Sequence, residues 1–221
     1  LDFRQLWING QKAVRARDVA DFEKMYRIIN NDPQNEILWV PAAAVKKIQK
    51  ARYAEMVLHE MWCVANLRIK SVEIQGDSAA VRFHHPESRI QFEHPWPRPM
   101  VTKDGHNSAF YLTNAMELLD EPGEWYHDIE SRKIYYYPRK GEKISKAVVP
   151  GIETLVWVEG TIDRPVKHIR FDNIAFQYTT WMRPSLQGHV PLQAGMYMTD
   201  GYKIRPSMIR KNNHKLDNQG W

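Results

Sequence analysis

Asp163-Arg-Pro-Val-Lys-His-Ile-Arg-Phe-Asp-Asn-Ile-Ala-Phe-Gln-Tyr178 is the stretch on which the reading of the fold turns. Together with residues 155–158 it offers three short apolar runs, 155–158, 169–171 and 174–178. They are separated by corners at Gly160-Thr161, Asp172-Asn173 and Thr179-Thr180. Strands this short, punctuated by asparagine and aspartate, suit the rungs of a parallel β-helix better than the longer strands of a sandwich. A solenoid needs about three stacked repeats to cover its core, so this segment predicts the start of a β-helix whose remaining rungs lie beyond the chain.

Working outward, Gly123-Glu-Trp-Tyr-His-Asp-Ile-Glu-Ser-Arg-Lys-Ile-Tyr-Tyr-Tyr-Pro138 reads as an aromatic hairpin. Near the amino terminus Asn9-Gly10 is a reversal that tolerates the positive φ of a tight turn, and it predicts two short strands within 3–16. Phe22, Met25, Tyr26 and Ile29 have helical spacing behind Asp18 or Asp21 as a cap, and residues 42–52 and 111–119 also read as helical. Residues 37–40 predict a buried strand, and 55–64 a strand covered on both faces. A hairpin of 67–75 and 79–83 turns at Gly76-Asp77. Four prolines, Pro86, Pro95, Pro97 and Pro99, predict a loop over 84–101.

The 221 residues are 43% hydrophobic and 11% aromatic, enough for a sizeable core. The net charge of +5 has its densest run at Lys46, Lys47, Lys50 and Arg52, the spacing of a solvated helix face. The aromatics fall in hairpins rather than along a basic groove, which argues against a nucleic-acid partner. Cys63 is the single cysteine, so this chain can form neither an internal disulfide nor a thiolate metal cluster, and it reads as a small buried hydrophobe. No run approaches the roughly 20 apolar residues of a membrane span. The opening Leu1-Asp-Phe-Arg lacks the pattern of a secretory leader.

The order of Phe3-Arg-Gln-Leu-Trp-Ile-Asn-Gly10, Leu119-Asp-Glu-Pro-Gly-Glu-Trp-Tyr126, Ile134-Tyr-Tyr-Tyr-Pro138 and Arg164-Pro-Val-Lys-His-Ile-Arg-Phe-Asp-Asn-Ile-Ala-Phe176 resembles bacterial right-handed parallel β-helix glycoside hydrolases of the pectate-lyase-like superfamily. The resemblance covers most of the chain and rests on motif order rather than on a catalytic signature. It implies a mainly β fold with a few helices: a first β-helix strand region at 1–11, an inserted strand-rich α+β domain at 12–159, and rungs at 160–221. It also implies a polysaccharide substrate, an extracellular or periplasmic setting, no cofactor, and catalytic carboxylates mostly beyond residue 221. In this chain Glu130-Ser-Arg132 stands where relatives usually turn the aromatic hairpin with glycine, which predicts a longer or type I turn.

Glycoside hydrolysis normally needs two carboxyl groups, about 5–5.5 Å or 6.5–9.5 Å apart according to stereochemistry. Asp120, Glu121, Glu124, Asp128 and Glu130 form the obvious cluster, but their place around an element end and a hairpin suits solvation. Asp163 and Asp172 suit corner caps, and Asp200 and Asp217 have no evident partner. Sugar recognition has a clearer signal, because ring faces stack on aromatics while hydroxyls need planar polar groups. Trp181, Arg183, His189 and Gln193, on one loop, are the preferred ligand contacts, weighed against a loop that merely packs over the fold. His59 and Trp62, flanking Glu60, are a second group, weighed against satisfied core residues. His84, His85, Glu93 and His94 make a poor metal set, since neighbours on an extended chain point apart. A non-catalytic carbohydrate-binding or adhesion module is the alternative reading, and a polysaccharide lyase the third.

Overall fold

The computed structural model describes residues 2–93 and 98–191. Thirteen strands run in chain order: β1 Trp7–Ile8, β2 Gln11–Lys12, β3 Val14–Arg15, β4 Tyr26–Arg27, β5 Asn30–Asp32, β6 Ile37–Pro41, β7 Glu55–His59, β8 Val64–Gln75, β9 Ser78–Phe83, β10 Ala109–Thr113, β11 Glu124–Asp128, β12 Lys133–Tyr136 and β13 Ala147–Val148. The short helices α1 Ala42–Val45, α2 Glu87–Glu93 and α3 Arg183–Gln187 join them. The strands form three sheets, ordered β13-β1-β2, β4-β10-β7-β8-β9-β6-β5 and β12-β11-β3.

The twelve residues of β8 organise the large sheet. Its first half pairs with β7, its second half pairs with β9, and the register shifts between Ile69 and Ser71. A bulge at that point bends the strand and lets the two halves of the sheet face each other as sandwich-like layers. Between them lies one core in which Met56 and Leu58 of β7, Phe110 and Leu112 of β10, and Leu67 of β8 meet Leu38 and Val40 of β6 and Val81 and Phe83 of β9. A smaller core of Phe3, Leu6, Ile8, Ala13 and Trp125 fastens the amino-terminal strands to the aromatic hairpin.

The expected β-helix is overturned. A wound helix requires parallel ladders from rung to rung, whereas every pairing here is antiparallel except the two-residue match of β3 with β11. None of the three sheets is closed or wound as a solenoid. The expected rungs 155–158, 169–171 and 174–178 carry no ladder. Their apolar alternation was the right local signal for extended chain, but among the described residues no neighbouring strand takes up their backbone groups.

Turn chemistry was more dependable. Asn9 and Gly10, at φ 52° and 81°, close the β1–β2 hairpin, and Gly76 closes β8–β9 at φ 62°. The aromatic hairpin pairs Asp128 with Lys133 across a four-residue turn that ends on Arg132 at φ 57°. Asp128 stabilises that turn by accepting hydrogen bonds from the Glu130 and Ser131 amides. Helical periodicity misled at two places. Over 21–29, of the four residues with helical spacing Phe22, Tyr26 and Ile29 are exposed and only Met25 is buried, joined by Ile28. Only a 3₁₀ turn at Phe22–Lys24 forms, with Asp21 accepting from the Glu23 amide. In 111–119 the buried pair Phe110 and Leu112 alternates as a strand, and helix is confined to a 3₁₀ turn at Met116–Leu118. The expected loop over 84–101 contains α2, and the expected strand over 55–64 turns back on itself where the Glu60 amide donates to the Cys63 carbonyl at 2.9 Å.

Candidate functional site

A strand sends alternate side chains to opposite faces, so β7 buries Met56 and Leu58 in the core and turns Glu55, Val57 and His59 outward. The antiparallel register then lays two rows across the outer face, Thr113–Glu55–Arg68 and Tyr111–Val57–Asn66. Two segments cover this face. The amino-terminal strands bring Arg4, Lys12, Arg15 and Arg17 over it from one side. From the other, residues 180–191 dock beside β8, where His189 and Asn66 exchange backbone hydrogen bonds at 2.8 Å each way. Val190 enters the main core just beyond.

Between the two covers lies a groove of about 360 Å³, with Val57, Asn66, Tyr111 and Thr113 on its floor, the four cations on one wall and Trp181 on the other. A cavity of about 370 Å³ sits behind the Glu55–Arg15 contact and is bordered by Tyr53, His84, Asn114 and Glu130. A third, of about 470 Å³, places Trp181 and Arg183 beside Glu153 and Thr180.

Glu55 holds the centre. It is 2% exposed and receives both guanidinium nitrogens of Arg4 at 2.8 Å, while Arg15 Nη1 reaches its two oxygens at 3.2 and 3.3 Å. Burial alone would push its carboxyl up, but Arg15 and Arg4 outweigh burial and hold it below the usual range. Burial, opposed by Glu55, lowers Arg15 to about 10. Arg4 also donates to Ser185 Oγ at 2.7 Å, which ties α3 to the same cluster. Arg68 and Glu87 repeat the bidentate pattern nearby at 2.7 and 2.9 Å.

These pairings decide what the described carboxylates can do. A glycosidase acid must hold its proton near neutrality beside the scissile bond, and a base or nucleophile must be open to the substrate. Glu55 and Glu87 are locked by arginines, and Glu130 pairs with Arg52 at 2.6 Å. Three carboxyls are raised, each first by burial: Asp18 to about 6, Glu60 to about 7, and Glu124 upward. None of the three lines any of these cavities. Asp18 accepts from the Leu112 amide, Glu60 from Cys63 and Gln91, and Glu124 caps the Arg17, Asp120 and Glu121 amides. A further groove of about 280 Å³ has Glu117, Asp128 and Glu130 in its lining, with Glu130 paired to Arg52 and Asp128 bound to Ser131 of its own turn.

The expected sugar contacts divide. Trp181 and His189 come together edge to face, ring centroids 4.8 Å apart, with Arg183 close enough to act on the imidazole. Burial, then Arg183 and Arg4, lower His189 to about 4, so it is a neutral imidazole near neutral pH. Gln193 lies outside the described residues, as do Asp200, Asp217 and His94. His59 packs between Phe22 and Tyr111 on the outer face, whereas Trp62 stands at the β7–β8 turn and is 38% exposed, so the two do not form one group. The reading from sequence missed Arg4, Lys12, Arg15 and Arg17. The signal was present: the first 17 residues carry four cations against a single acid, Asp2, and Arg15 and Arg17 share strand parity.

No helix among the described residues is long and apolar enough to cross a membrane, and those residues include no group of three or more metal-ligating side chains. A solved structure named as a glycoside hydrolase is 70% identical with a TM-score of 0.87, over 96% of this chain and 37% of that one. The chain thus spans little more than a third of that relative's length. No curated protein matches. The family model for the GH141 insertion domain matches residues 1–139, well over half of the sequence. The chain belongs to the GH141 insertion-domain family.

Proposed function

We propose that this module contributes carbohydrate-binding surface to a glycoside hydrolase that acts on a polysaccharide outside the cytoplasm, and that the catalytic carboxylates lie outside its described residues. The observation that carries the reading is the groove on the outer face of β7, β8 and β10. It joins an aromatic wall at Trp181 to planar polar groups at Asn66, Arg4 and Arg17, the mixture that sugar rings and hydroxyls require. Trp181 serves as a ligand contact in this groove, with Arg183 and His189 next to it as further contacts. A non-catalytic binding role for the module by itself is favoured by a second observation: Glu55, the buried carboxylate behind the groove, is spent on Arg4 and Arg15.

Reducing-end release from a polysaccharide panel tests the activity of the intact protein. The module alone should bind the responsive glycan without cleaving it, and cleavage by the module would refute the division of labour. Trp181→Ala in the intact protein should weaken binding of that glycan about tenfold or more, as loss of a stacking platform does, with a small change in melting temperature. Unchanged affinity with a large loss of thermal stability would instead assign Trp181 to packing.

A further inference from the structure

The groove that supports the sugar-binding reading has an unbalanced charge. Arg4, Lys12, Arg15 and Arg17 line it, and no Asp or Glu does. Glu55 neutralises part of this charge from behind by pairing with Arg4 and Arg15. The Arg17 guanidinium has no ion-pair partner among the described residues, and it lies close enough to Tyr111 to act on the phenol. Lys12 is exposed, with its ammonium 5.9 Å from the Trp7 ring. Arg15 has a buried Nε with no hydrogen-bond partner among the described residues, although its Nη1 is bound to Glu55. A buried donor left unmatched is costly, and an arginine fork is matched best by a planar carboxylate.

We propose that this groove binds a carboxylate-bearing sugar, a uronate, and that Arg17 and Lys12 meet its charge while Trp181 packs against it. The inference rests on the sugar-binding reading and adds the chemical class of the ligand. Arg17 and Lys12, without ion-pair partners among the described residues, stand beside an Arg4–Glu55–Arg15 cluster with one positive charge in excess, which leaves a net positive site for one or two anionic groups. Tyr111 and Trp181 on the floor and facing wall supply the apolar surface that a sugar offers and a simple inorganic anion does not.

The test is titration calorimetry of the intact protein with galacturonate and glucuronate oligosaccharides, with their methyl esters, and with the matching neutral galactose and glucose oligosaccharides. The acid should bind about tenfold more tightly than its ester at low salt, and the advantage should shrink as salt screens the charges. Arg17→Gln should remove most of that advantage, weakening the acid several-fold more than it weakens the ester and the neutral sugar. Equal affinity for acid and ester would overturn the proposal while sparing the sugar-binding reading. Failure of every oligosaccharide to bind, together with no hydrolysis of any polysaccharide, would overturn both. The comparison of acid with ester needs no variant, so a misfolded Arg17→Gln protein would not rescue the proposal.

Discussion

At the scale of single residues, Glu55 and Glu60 show how the same chemical group takes opposite states a few positions apart. Both are carboxyls near β7, Glu55 buried and Glu60 partly so. Glu55 faces two guanidinium groups and stays ionised, while Glu60 receives only a thiol, at 3.1 Å, and an amide, at 2.7 Å. Neutral donors do not offset the loss of hydration, so burial raises Glu60 from 4.5 to about 7. Because the folded state holds this proton more tightly than the unfolded chain, its contribution to stability is complete below about pH 4.5 and is lost as pH rises through about 7. Glu60→Gln keeps an acceptor for Gln91 and has no charge to bury. The variant should match the parent in denaturant unfolding near pH 4 and exceed it near pH 8 by on the order of 3 kcal/mol. An equal difference at both pH values would show that Glu60 is not held neutral in the fold. Cys63 was expected as a small buried hydrophobe, but it is half-buried and its thiol, pushed up by burial and then by Glu60, donates to Glu60.

At the scale of elements, the segment 180–191 is held by β8 on one side and by Arg4 on the other, and Gly188 is where it must come closest. Its φ of 64° and ψ of −169° lie in a region open essentially to glycine alone. A Cβ there would stand 2.6 Å from Cγ of the fully buried Glu87. Gly188→Ala should therefore cost about 1–3 kcal/mol and should shift the wall that carries Trp181 and His189. The measurement is unfolding free energy alongside glycan affinity. A variant unchanged in both would show that this docking is adjustable. The sequence made the turns legible because Asn9-Gly10 and Gly76-Asp77 act through their own φ preferences, without help from distant residues. The aromatic hairpin was legible for the same reason, since Asp128 caps its own turn. What failed was period: Met25 with Ile28 and Phe110 with Leu112 acquire their buried faces only from pairing across the large sheet. The Trp181–His189 pairing followed from proximity on one loop. The arginine wall did not, because Arg4 and Arg15 meet only through Glu55, 51 and 40 positions away.

At the scale of the whole molecule, the described chain divides into a well-packed sandwich-like body and an exposed apolar stretch. Residues 152–176 leave Ile152 54% exposed, Trp157 76%, Ile162 99% and Ile174 60%. Phe171 and Phe176 meet edge to face at 5.4 Å, yet both remain about half exposed. Contiguous apolar surface of this kind is uncommon on a stable monomer and marks a contact with further protein. The expectation of solenoid rungs arose from the same residues: alternation revealed apolar, extended chain, but it could not supply the neighbours that would turn such chain into a sheet. The solved relative has about 63% of its length outside the match, since 37% of it is covered. Hydrogen exchange compares the two situations directly. Amides in 152–176 should exchange within seconds in the 221-residue chain, with local protection from backbone bonds at the Thr161 and Arg164 amides, each donating to the other's carbonyl. In a protein of the relative's full length they should slow by about a hundredfold or more, because burial against added protein requires a larger opening before exchange. Equal rates in both would mean that this apolar surface is not covered within one polypeptide.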